Sequence, residues 1–306
     1  MHTLVMTGAT RGIGRVAARC IMRTAPEARL LVLARGSSGA RMCAELAGAG
    51  YAASAVEADL SSLSSVRAAA GAIHDLLDRG EVPPLAGFVG NAGIQYTDDI
   101  TETDDGLEAT FTVNVLANHL LLRTLADRFI VGSRSVITVS DTHFGDLRHN
   151  LGMVPGPVWH SPDVLARPRA FPHPTSTSAG RIAYSTSKLA MIHLVHEYAR
   201  RLPAGVDILS YNPGFVPGTD LARNAGPAAR FAMRRIAPLL TVTPLATDAE
   251  TAGRRLAAVV TGAVAAPTGS YIDRDRVADS SRDSYDPVRE RDLWDYAEQL
   301  TASHRV

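Results

Sequence analysis

Short apolar runs and longer amphipathic segments alternate along nearly the whole chain. The runs have the length and β-branched content of buried strands, whereas the segments between them repeat apolar residues at the spacing of a helix. The pattern predicts strands at 3–7, 29–34, 51–56, 85–90, 134–140, 206–211 and 269–272. It predicts helices at 13–24, 38–48, 62–78, 103–128, 183–202, 247–260 and 287–302.

This alternation predicts an α/β fold. Strand–helix–strand units cross over with one hand, so successive units build a parallel sheet that helices cover on both faces. A chain of 306 residues is within the range of one large α/β domain. We therefore expect a single doubly wound, Rossmann-like domain over residues 1–306, with a seven-stranded parallel sheet.

Two stretches interrupt the alternation. Residues 144–181 are rich in Pro, His, Gly and Ser, and residues 213–244 begin with a Pro-Gly turn. Both follow carboxyl ends of predicted strands, the edge where doubly wound sheets bind ligands. We expect both to be substrate-lid insertions, with no core element in 144–181. Residues 273–306 are expected to form a helical tail.

A glycine-rich turn follows the first predicted strand, where residues 7–14 read Thr-Gly-Ala-Thr-Arg-Gly-Ile-Gly. The turn brings Gly8, Gly12 and Gly14 together where side chains would block a ligand. The helix that begins there offers free N–H groups and a positive dipole end, which favour a bound phosphate. The spacing G-x-x-x-G-x-G differs from the G-x-G-x-x-G of the commoner dinucleotide fold.

A second motif is the pair Tyr184 and Lys188, which are four residues apart and so share one face of a predicted helix. In chain order, the landmarks are Thr7 and Arg11 in the turn, Asn91-Ala92-Gly93, Asn114, the strand Val136–Val139, and this pair. Together they resemble the short-chain dehydrogenase/reductase family from Thr3 to about Ile272.

The resemblance implies a nicotinamide cofactor, and the second strand indicates NADP(H). That strand ends in Ala34-Arg35-Gly36-Ser37 without an acid, and the planar donors of Arg35 suit a 2′-phosphate. Asp59 resembles the family's adenine-amine acceptor and equally suits a helix N-terminus. The residues implied to bind the cofactor are Thr7, Gly8, Thr10, Arg11, Gly12, Ile13, Gly14, Arg35, Asp59, Leu60, Asn91, Ala92, Gly93, Tyr184, Lys188, Pro213, Gly214, Val216 and Thr219.

The resemblance also implies a catalytic tetrad. Tyr184 would exchange a proton with the substrate oxygen, and the ammonium of Lys188 would lower its pKa and hold the nicotinamide ribose. Asn114 would help carry a water-linked proton relay to Lys188. The serine position has two alignments: without a gap the oxygen-polarising residue is Asp141, and with one deletion it is Ser140. We favour Ser140, because a carboxylate would oppose the developing negative charge.

The long loops and the tail resemble a subgroup with protochlorophyllide reductases, retinol-dehydrogenase-like enzymes and bacterial ketoreductases of aromatic polyketides. The photoenzymes carry a cysteine where this chain has Ala190, which argues for dark hydride transfer. We therefore expect NADPH-dependent reduction of a ketone or aldehyde, or the reverse oxidation, on a bulky and largely apolar small molecule. Reduction of an activated C=C bond and a non-catalytic NADP sensor remain alternatives.

Composition narrows the partners. Thirty-one basic residues balance thirty-one acidic ones, which argues against nucleic acid and an anionic membrane surface. The sequence has no apolar run long enough for a membrane span and no room for a signal peptide before the first strand, so we expect a cytoplasmic protein. Cys20 and Cys43 lack metal spacing and are expected to be buried thiols, and no metal is expected. The resemblance also implies that the long helices 103–128 and 183–202 pack across a dimer interface, so a homodimer is among the expected partners.

Overall fold

The computed structural model describes residues 1–150, 152, 154–217 and 246–303. The strands are β1 Thr3–Thr7, β2 Arg29–Ala34, β3 Ala52–Glu57, β4 Leu85–Gly90, β5 Arg134–Thr138, β6 Asp207–Asn212, β7 Tyr271–Asp273 and β8 Arg276–Ala278. The α-helices are α1 Gly12–Thr24, α2 Ser37–Gly48, α3 Leu63–Asp78, α4 Ala109–Phe111, α5 Ala117–Leu125, α6 Leu147–Asn150, α7 Pro162–Leu165, α8 Thr177–Arg201, α9 Ala249–Val260 and α10 Pro287–Ser303.

The strands form one sheet in the order β3-β2-β1-β4-β5-β6-β7-β8. All pairs are parallel except β7 with β8. The order reverses between β1 and β4, so the carboxyl ends of these two central strands flank the crevice where such sheets bind ligands. The predicted doubly wound α/β fold is confirmed.

Alternate residues of the central strands face two separate cores. Val5 of β1 and Leu31 of β2 belong to the core beneath α3, α5, α8 and α10. Their neighbours Met6 and Leu30 belong to the opposite core beneath α1, α2 and α9. A strand buried on both faces is apolar throughout, which is why these strands appear in the sequence as continuous apolar runs.

The prediction of a seven-stranded, fully parallel sheet is wrong by one strand. The chain turns back after β7 and pairs Ile272 with Val277 in an antiparallel hairpin. Arg274, in the turn, adopts the left-handed region with φ of 61°. The hairpin is short and its turn is highly charged, so it lacks the apolar run from which the other strands were predicted.

The helix predicted at 103–128 begins later and is not uniformly α-helical. The carboxylate of Glu108 accepts hydrogen bonds from the backbone N–H groups of Thr110 and Phe111 and so caps the start of α4. Between α4 and α5, residues Thr112–Leu116 form a turn of π-helix. A single π-turn inside an α-helix is frequent at functional sites.

Residues 144–181 do contribute to the core, contrary to the prediction. Leu165, Ala166 and Phe171 are buried in the core beneath α8. The backbone N–H of Phe171 donates to Asp99 Oδ2 at 2.8 Å, which ties the segment to the loop after β4. Helix α8 also begins earlier than predicted, at Thr177, because Ser176 caps it through the N–H of Ala179. The part of 213–244 beyond residue 217 lies outside the described residues.

The tail helix α10 packs against α8 and α5, the two helices expected to form a dimer interface. Trp294 contacts the rings of His119 and Tyr198 edge-on, at centroid distances of 5.2 and 4.8 Å. The buried carboxylate of Glu290 accepts a hydrogen bond from Arg200, and its Oε1 lies 2.7 Å from His196 Nδ1. The chain's own C-terminal helix therefore covers this face.

The two cysteines lie on α1 and α2, the helices in which they were predicted, and both are free thiols. Cys20 is buried, whereas Cys43 is only half-buried, which corrects the expectation for that residue. In the part of the chain that the structure describes, no helix is both long and apolar enough to cross a membrane.

Candidate active site

The glycine-rich turn brings β1 and β4 into backbone contact at the centre of the sheet. A Cβ at Gly14 would lie 2.0 Å from the carbonyl oxygen of Gly8, so no other residue fits at this position. Asn91 Nδ2 donates to the same oxygen at 3.2 Å, and the N–H of Ala92 donates to Thr7 Oγ1 at 3.1 Å. The glycine-rich turn and the Asn91-Ala92-Gly93 segment are therefore held together by hydrogen bonds.

Helix α1 starts from this turn without a cap. Its N-cap residue Arg11 forms no capping hydrogen bond through its side chain, and the first turn contains no acidic residue. The helix start borders a cavity of about 1610 Å³. Uncapped N–H groups and an unopposed helix dipole at a cavity wall are the chemistry that binds a phosphate.

That cavity collects most of the predicted cofactor residues. Its walls include Gly8, Thr10, Arg11, Gly12, Ile13, Gly14, Arg35, Asp59, Leu60, Asn91, Ala92, Gly93, Tyr184, Lys188, Pro213, Gly214 and Val216. Thr7 is fully buried behind the turn. Thr219 lies outside the described residues.

The end of the cavity near β2 carries a positively charged residue, Arg35, and two acidic residues, Asp59 and Glu57. Arg35 is mostly exposed, and its Nη1 lies 3.3 Å from Asp59 Oδ2. The carboxylate of Glu57, at the end of β3, accepts a hydrogen bond from the N–H of Gly36 at 2.9 Å. The sequence analysis found no acid at the end of β2, and it missed Glu57 because this acid comes from the neighbouring strand.

Asp59 does not cap helix α3, because Ser62 does so through the N–H of Ser65. Asp59 Oδ1 instead accepts hydrogen bonds from the N–H and hydroxyl of Ser61 at 2.9 and 2.6 Å. Partial burial acts to raise the pKa of Asp59, but the bonds from Ser61 and the charge of Arg35 outweigh it and lower the pKa. Asp59 is therefore an ionised acceptor at the cavity wall.

The end of the cavity near β5 brings together Tyr184 and Ser140. Both side chains line the cavity wall. Burial, together with the negative charge of Asp141, raises the pKa of Tyr184 above its usual value, and the Ser140 hydroxyl acts against the rise. The expected lowering of this pKa does not hold here, because burial dominates and keeps the phenol protonated.

Lys188 lies one helical turn beyond Tyr184 on the same face of α8. Its Nζ is 5.6 Å from the centroid of the Tyr184 ring and donates to the carbonyl oxygen of Thr138 at 2.9 Å. Burial lowers the pKa of Lys188 to about 8. A Cβ at Gly93 would lie 3.3 Å from this ammonium nitrogen, so a larger residue would crowd it.

Asn114 lies in the π-turn and all its polar atoms are occupied. Its Oδ1 accepts from the N–H of Ile94, and its Nδ2 donates to the carbonyl of Ile94 and to Ser187 Oγ, each at 2.9 Å. Ser187 Oγ in turn donates to the carbonyl oxygen of Tyr184 at 2.7 Å. Asn114 therefore connects the loop after β4 to the helix that carries Tyr184 and Lys188.

Ser140 and Asp141 lie side by side at the end of β5. Ser140 Oγ accepts from the N–H of Thr142 at 3.3 Å and lies 3.4 Å from Asp141 Oδ1. Burial raises the pKa of Asp141 to about 6, although the charge of Arg274 and the bond to Ser140 act against this. Ser140 acts to lower the pKa of Tyr184, whereas the negative charge of Asp141 acts to raise it.

Aromatic residues form the wall beyond Ser140. The rings of Phe144 and His149 stack 3.7 Å apart, and Tyr271 meets Phe144 edge-on at 6.2 Å. All three line the cavity. Phe144 and His149 precede α8 in the sequence, whereas Tyr271 follows it. The sequence analysis missed Tyr271 because its neighbours are those of an ordinary core strand.

The β7–β8 hairpin adds a charged wall that the sequence analysis also missed. The guanidinium of Arg274 packs against Gly214, where a Cβ would lie 2.9 Å from its Nε. The same guanidinium donates to Asp273 Oδ2 at 3.0 Å, and Asn212 Nδ2 donates to Asp273 Oδ1 at 3.0 Å. The run Asp273-Arg274-Asp275-Arg276 could have indicated this hairpin. Four consecutive charged residues are not compatible with a buried central strand and favour a turn at the edge of the sheet.

The comparisons with known proteins agree with this geometry. The family model described as short chain dehydrogenase matches residues 2–144. A Streptomyces sp. (strain C5) protein assigned as a daunorubicin C-13 ketoreductase is 38% identical over 70% of this chain and 66% of its own length. Protochlorophyllide reductase A of Oryza sativa subsp. japonica is 27% identical over 97% of this chain and 80% of its own length.

Solved structures give the same architecture. An uncharacterised protein from Mycobacterium paratuberculosis superposes with a TM-score of 0.62 at 26% identity, over 99% of this chain and 94% of the other. A short chain dehydrogenase from Burkholderia cenocepacia J2315 in complex with NADP superposes with a TM-score of 0.60 at 24% identity, over 89% and 95%. The chain belongs to the short-chain dehydrogenase/reductase family, whose members are NAD(P)-dependent oxidoreductases.

The residues present fit the cofactor that the family implies. The uncapped start of α1 and the guanidinium of Arg35 offer donors to phosphates, while the ammonium of Lys188 faces the opposite end of the same cavity. Among the described residues, no group of three or more His, Cys, Asp or Glu side chains is arranged to hold a metal ion.

Proposed function

We propose that the protein is an NADPH-dependent oxidoreductase that reduces a ketone or aldehyde of a bulky, largely apolar small molecule, or oxidises the corresponding alcohol. One observation carries the proposal. Tyr184, Ser140 and Lys188 line the same cavity as the uncapped helix start that follows the glycine turn.

In the proposed reduction, Tyr184 is the general acid. Its phenol is protonated at neutral pH and donates the proton to the substrate oxygen, while the hydroxyl of Ser140 donates a hydrogen bond to the same oxygen. NADPH, when bound, supplies the hydride to the carbonyl carbon. Both residues line the same cavity, so the two donors can reach one substrate oxygen.

Lys188 supplies the positive charge that this chemistry requires. As the phenol gives up its proton, negative charge develops on Tyr184, and a nearby ammonium stabilises it. The carbonyl of Thr138 holds that ammonium in place at 2.9 Å. Asn114 acts as the brace behind the pair, because it links Ile94 to Ser187 on the catalytic helix.

Arg35 carries the proposed preference for NADPH over NADH. It offers planar donors to a 2′-phosphate, and no acid of β2 stands beside it to accept ribose hydroxyls. Glu57 works against this preference, since its carboxylate holds the amide that directly follows Arg35. We therefore expect a moderate rather than an absolute preference.

The aromatic wall supports a flat and largely apolar substrate. The stacked pair of Phe144 and His149 and the edge of Tyr271 offer ring faces to an aromatic ligand beyond the reacting oxygen. The relative from Streptomyces is assigned as a daunorubicin C-13 ketoreductase, which is in line with the polyketide ketoreductases that the sequence resembles. An aromatic polyketide or a similar secondary metabolite is thus the proposed substrate class.

Steady-state oxidation of NADPH tests the proposal with a panel of ketones that ranges from small aldehydes to polycyclic aromatic ketones. We expect turnover that rises with the aromatic area of the substrate and disappears in Tyr184→Phe. Product analysis by mass and NMR decides between a reduced C=O and a reduced C=C bond. Tight NADPH binding with no turnover of any substrate would refute the enzyme and favour a sensor.

A further inference from the structure

His143 is a fully buried histidine whose two ring nitrogens bind two distant parts of the backbone. Its Nδ1 lies 2.5 Å from the carbonyl oxygen of Ser140. Its Nε2 lies 3.1 Å from the backbone nitrogen of Ser281, in the tail after β8. The ring is enclosed by Phe144 at 4.2 Å and Tyr271 at 5.2 Å between centroids.

These two partners determine where the ring proton resides. A carbonyl oxygen accepts only, so Nδ1 must donate to Ser140, and a backbone amide donates only, so Nε2 must accept from Ser281. His143 is therefore neutral with its proton on Nδ1. Burial lowers the pKa of His143 to about 4, which keeps this state throughout the neutral range.

The Ser140 bond fixes the turn that presents the proposed oxygen-polarising hydroxyl. Residues Asp141–Phe144 form a single 3₁₀ turn, and the backbone bond from the N–H of His143 to the Ser140 carbonyl is long, at 3.4 Å. The ring bond is much shorter and so restrains the peptide plane of Ser140 more strongly. That plane restrains the backbone from which the Ser140 hydroxyl is presented to the cavity.

The second contact of His143, from Nε2 to Ser281, reaches a turn that has its own internal hydrogen bonds. Ser284 Oγ donates to the carbonyl oxygen of Ser281 at 2.6 Å, and Ser280 Oγ lies 2.6 Å from Ser284 Oγ. The N–H of Ser281 is buried with the ring, and without His143 it would have no acceptor in this contact. The catalytic turn is thus attached to the tail rather than to the sheet alone.

We propose that His143 is a positioning residue, which clasps the Ser140 turn to the C-terminal tail and so aims the Ser140 hydroxyl at the substrate oxygen. The inference rests on the proposed function for its effect on catalysis. The clasp itself consists of the two backbone contacts and exists whatever the substrate is.

Two substitutions separate the two arms. In His143→Asn the side-chain amide nitrogen takes the place of Nδ1 and keeps the bond to Ser140, while the bond to Ser281 is lost. In His143→Gln the side-chain oxygen reaches the place of Nε2 and keeps the bond to Ser281, while the bond to Ser140 is lost. Each variant loses one buried bond, so thermal unfolding provides a matched check on folding.

We expect His143→Gln to lower kcat by about tenfold to a hundredfold with an unchanged KM for NADPH. His143→Asn keeps the bond to Ser140 and releases only the tail, so we expect it to lower kcat less, by about three- to tenfold. In a Ser140→Ala background, His143→Gln should cost less than about threefold, because its target is gone. Equal losses of kcat from Asn and Gln, or the same loss from Gln with and without Ser140, would show a merely structural role and overturn the proposal.

Nitrogen NMR of ¹⁵N-histidine-labelled protein tests the clasp without any turnover. The resonances that vanish in His143→Asn identify His143, and we expect a protonated Nδ1 and an unprotonated Nε2 that persist from pH 8 down to about pH 5. A proton on Nε2 in this range would overturn the clasp. A wild type with the expected ring state but no carbonyl reduction would refute the proposed function and leave the clasp standing.

Discussion

The two ends of the cavity are built in different ways. At the glycine turn the contacts are made to the backbone. Gly14 lies against the carbonyl of Gly8, and the side chain of Asn91, which follows β4, donates to the same carbonyl. At the substrate end, side chains from distant segments meet, such as Phe144 with Tyr271 and His143 with Ser281. The first end tolerates almost no substitution at its glycines, whereas the second can change its lining while the fold remains.

The largest expected effect tests whether the chemistry lies at the junction between the two ends. Tyr184→Phe removes the phenol that donates the proton and retains the ring that packs beside Lys188. We expect turnover to fall by more than about a hundredfold, while the NADPH dissociation constant stays within about twofold. Single-turnover kinetics and a fluorescence titration measure the two quantities. A variant that keeps more than about a hundredth of the wild-type rate would disprove general acid catalysis by this residue.

The next effect separates the two neighbours at the end of β5. Ser140→Ala should lower kcat by about two to three powers of ten, the usual loss for one donor to a developing oxyanion. Asp141→Asn should change kcat far less at pH 5, where the carboxyl of the wild type is already protonated.

The pH profile sharpens the same contrast. The pKa of Asp141 is raised to about 6, so its anionic form appears as the pH rises through 6 and then opposes charge on the substrate oxygen. We expect the wild-type rate to decline by a few-fold over this range and the Asp141→Asn rate to stay flat. A large loss in Asp141→Asn, with Ser140→Ala near wild type, would reverse the assignment.

A smaller effect concerns the adenosine end of the cavity. Arg35→Ala should weaken NADPH binding by about tenfold and leave NADH binding nearly unchanged, because it removes a charge-assisted contact to the 2′-phosphate. The effect is modest because the guanidinium is mostly exposed and already pairs with Asp59. Glu57→Gln is the complementary variant, and we expect it to tighten NADPH binding by a few-fold. Equal wild-type affinities for the two cofactors would refute this role of Arg35.

The smallest effect tests whether the segment around Val158 covers the substrate end. Thr186 Oγ1 accepts from the N–H of Val158 at 3.0 Å, directly behind Tyr184 on α8. Thr186→Val should raise KM for polycyclic ketones by about two- to fivefold, with less change for small aldehydes. Thr261→Val is the matched control, since its hydroxyl bonds a carbonyl within α9 at 2.9 Å. Equal changes of KM for large and small substrates would show that the loop is structural.

The contrast between the two ends also explains what the sequence reveals. The glycine turn and the Tyr184–Lys188 pair depend on local spacing, so the family and its cofactor could be predicted from them. The alternation of strands and helices likewise predicted the doubly wound fold. The burial of Leu165 and Phe171 in the core could not be predicted from the sequence. They are isolated apolar residues in a Pro-rich segment, and they pack against residues that are distant in the sequence. The contact between His143 and Ser281 spans most of the chain after β5, and no local pattern encodes it.

Helix α10 has a consequence for how the protein responds to dilution. It covers α5 and α8 through Trp294 and Glu290, contacts that belong to the same covalent chain. Where a partner subunit covers such a face, mass action makes stability depend on protein concentration. Here the covering helix cannot diffuse away, so we expect the same unfolding temperature and the same activity per molecule in nanomolar and micromolar solutions.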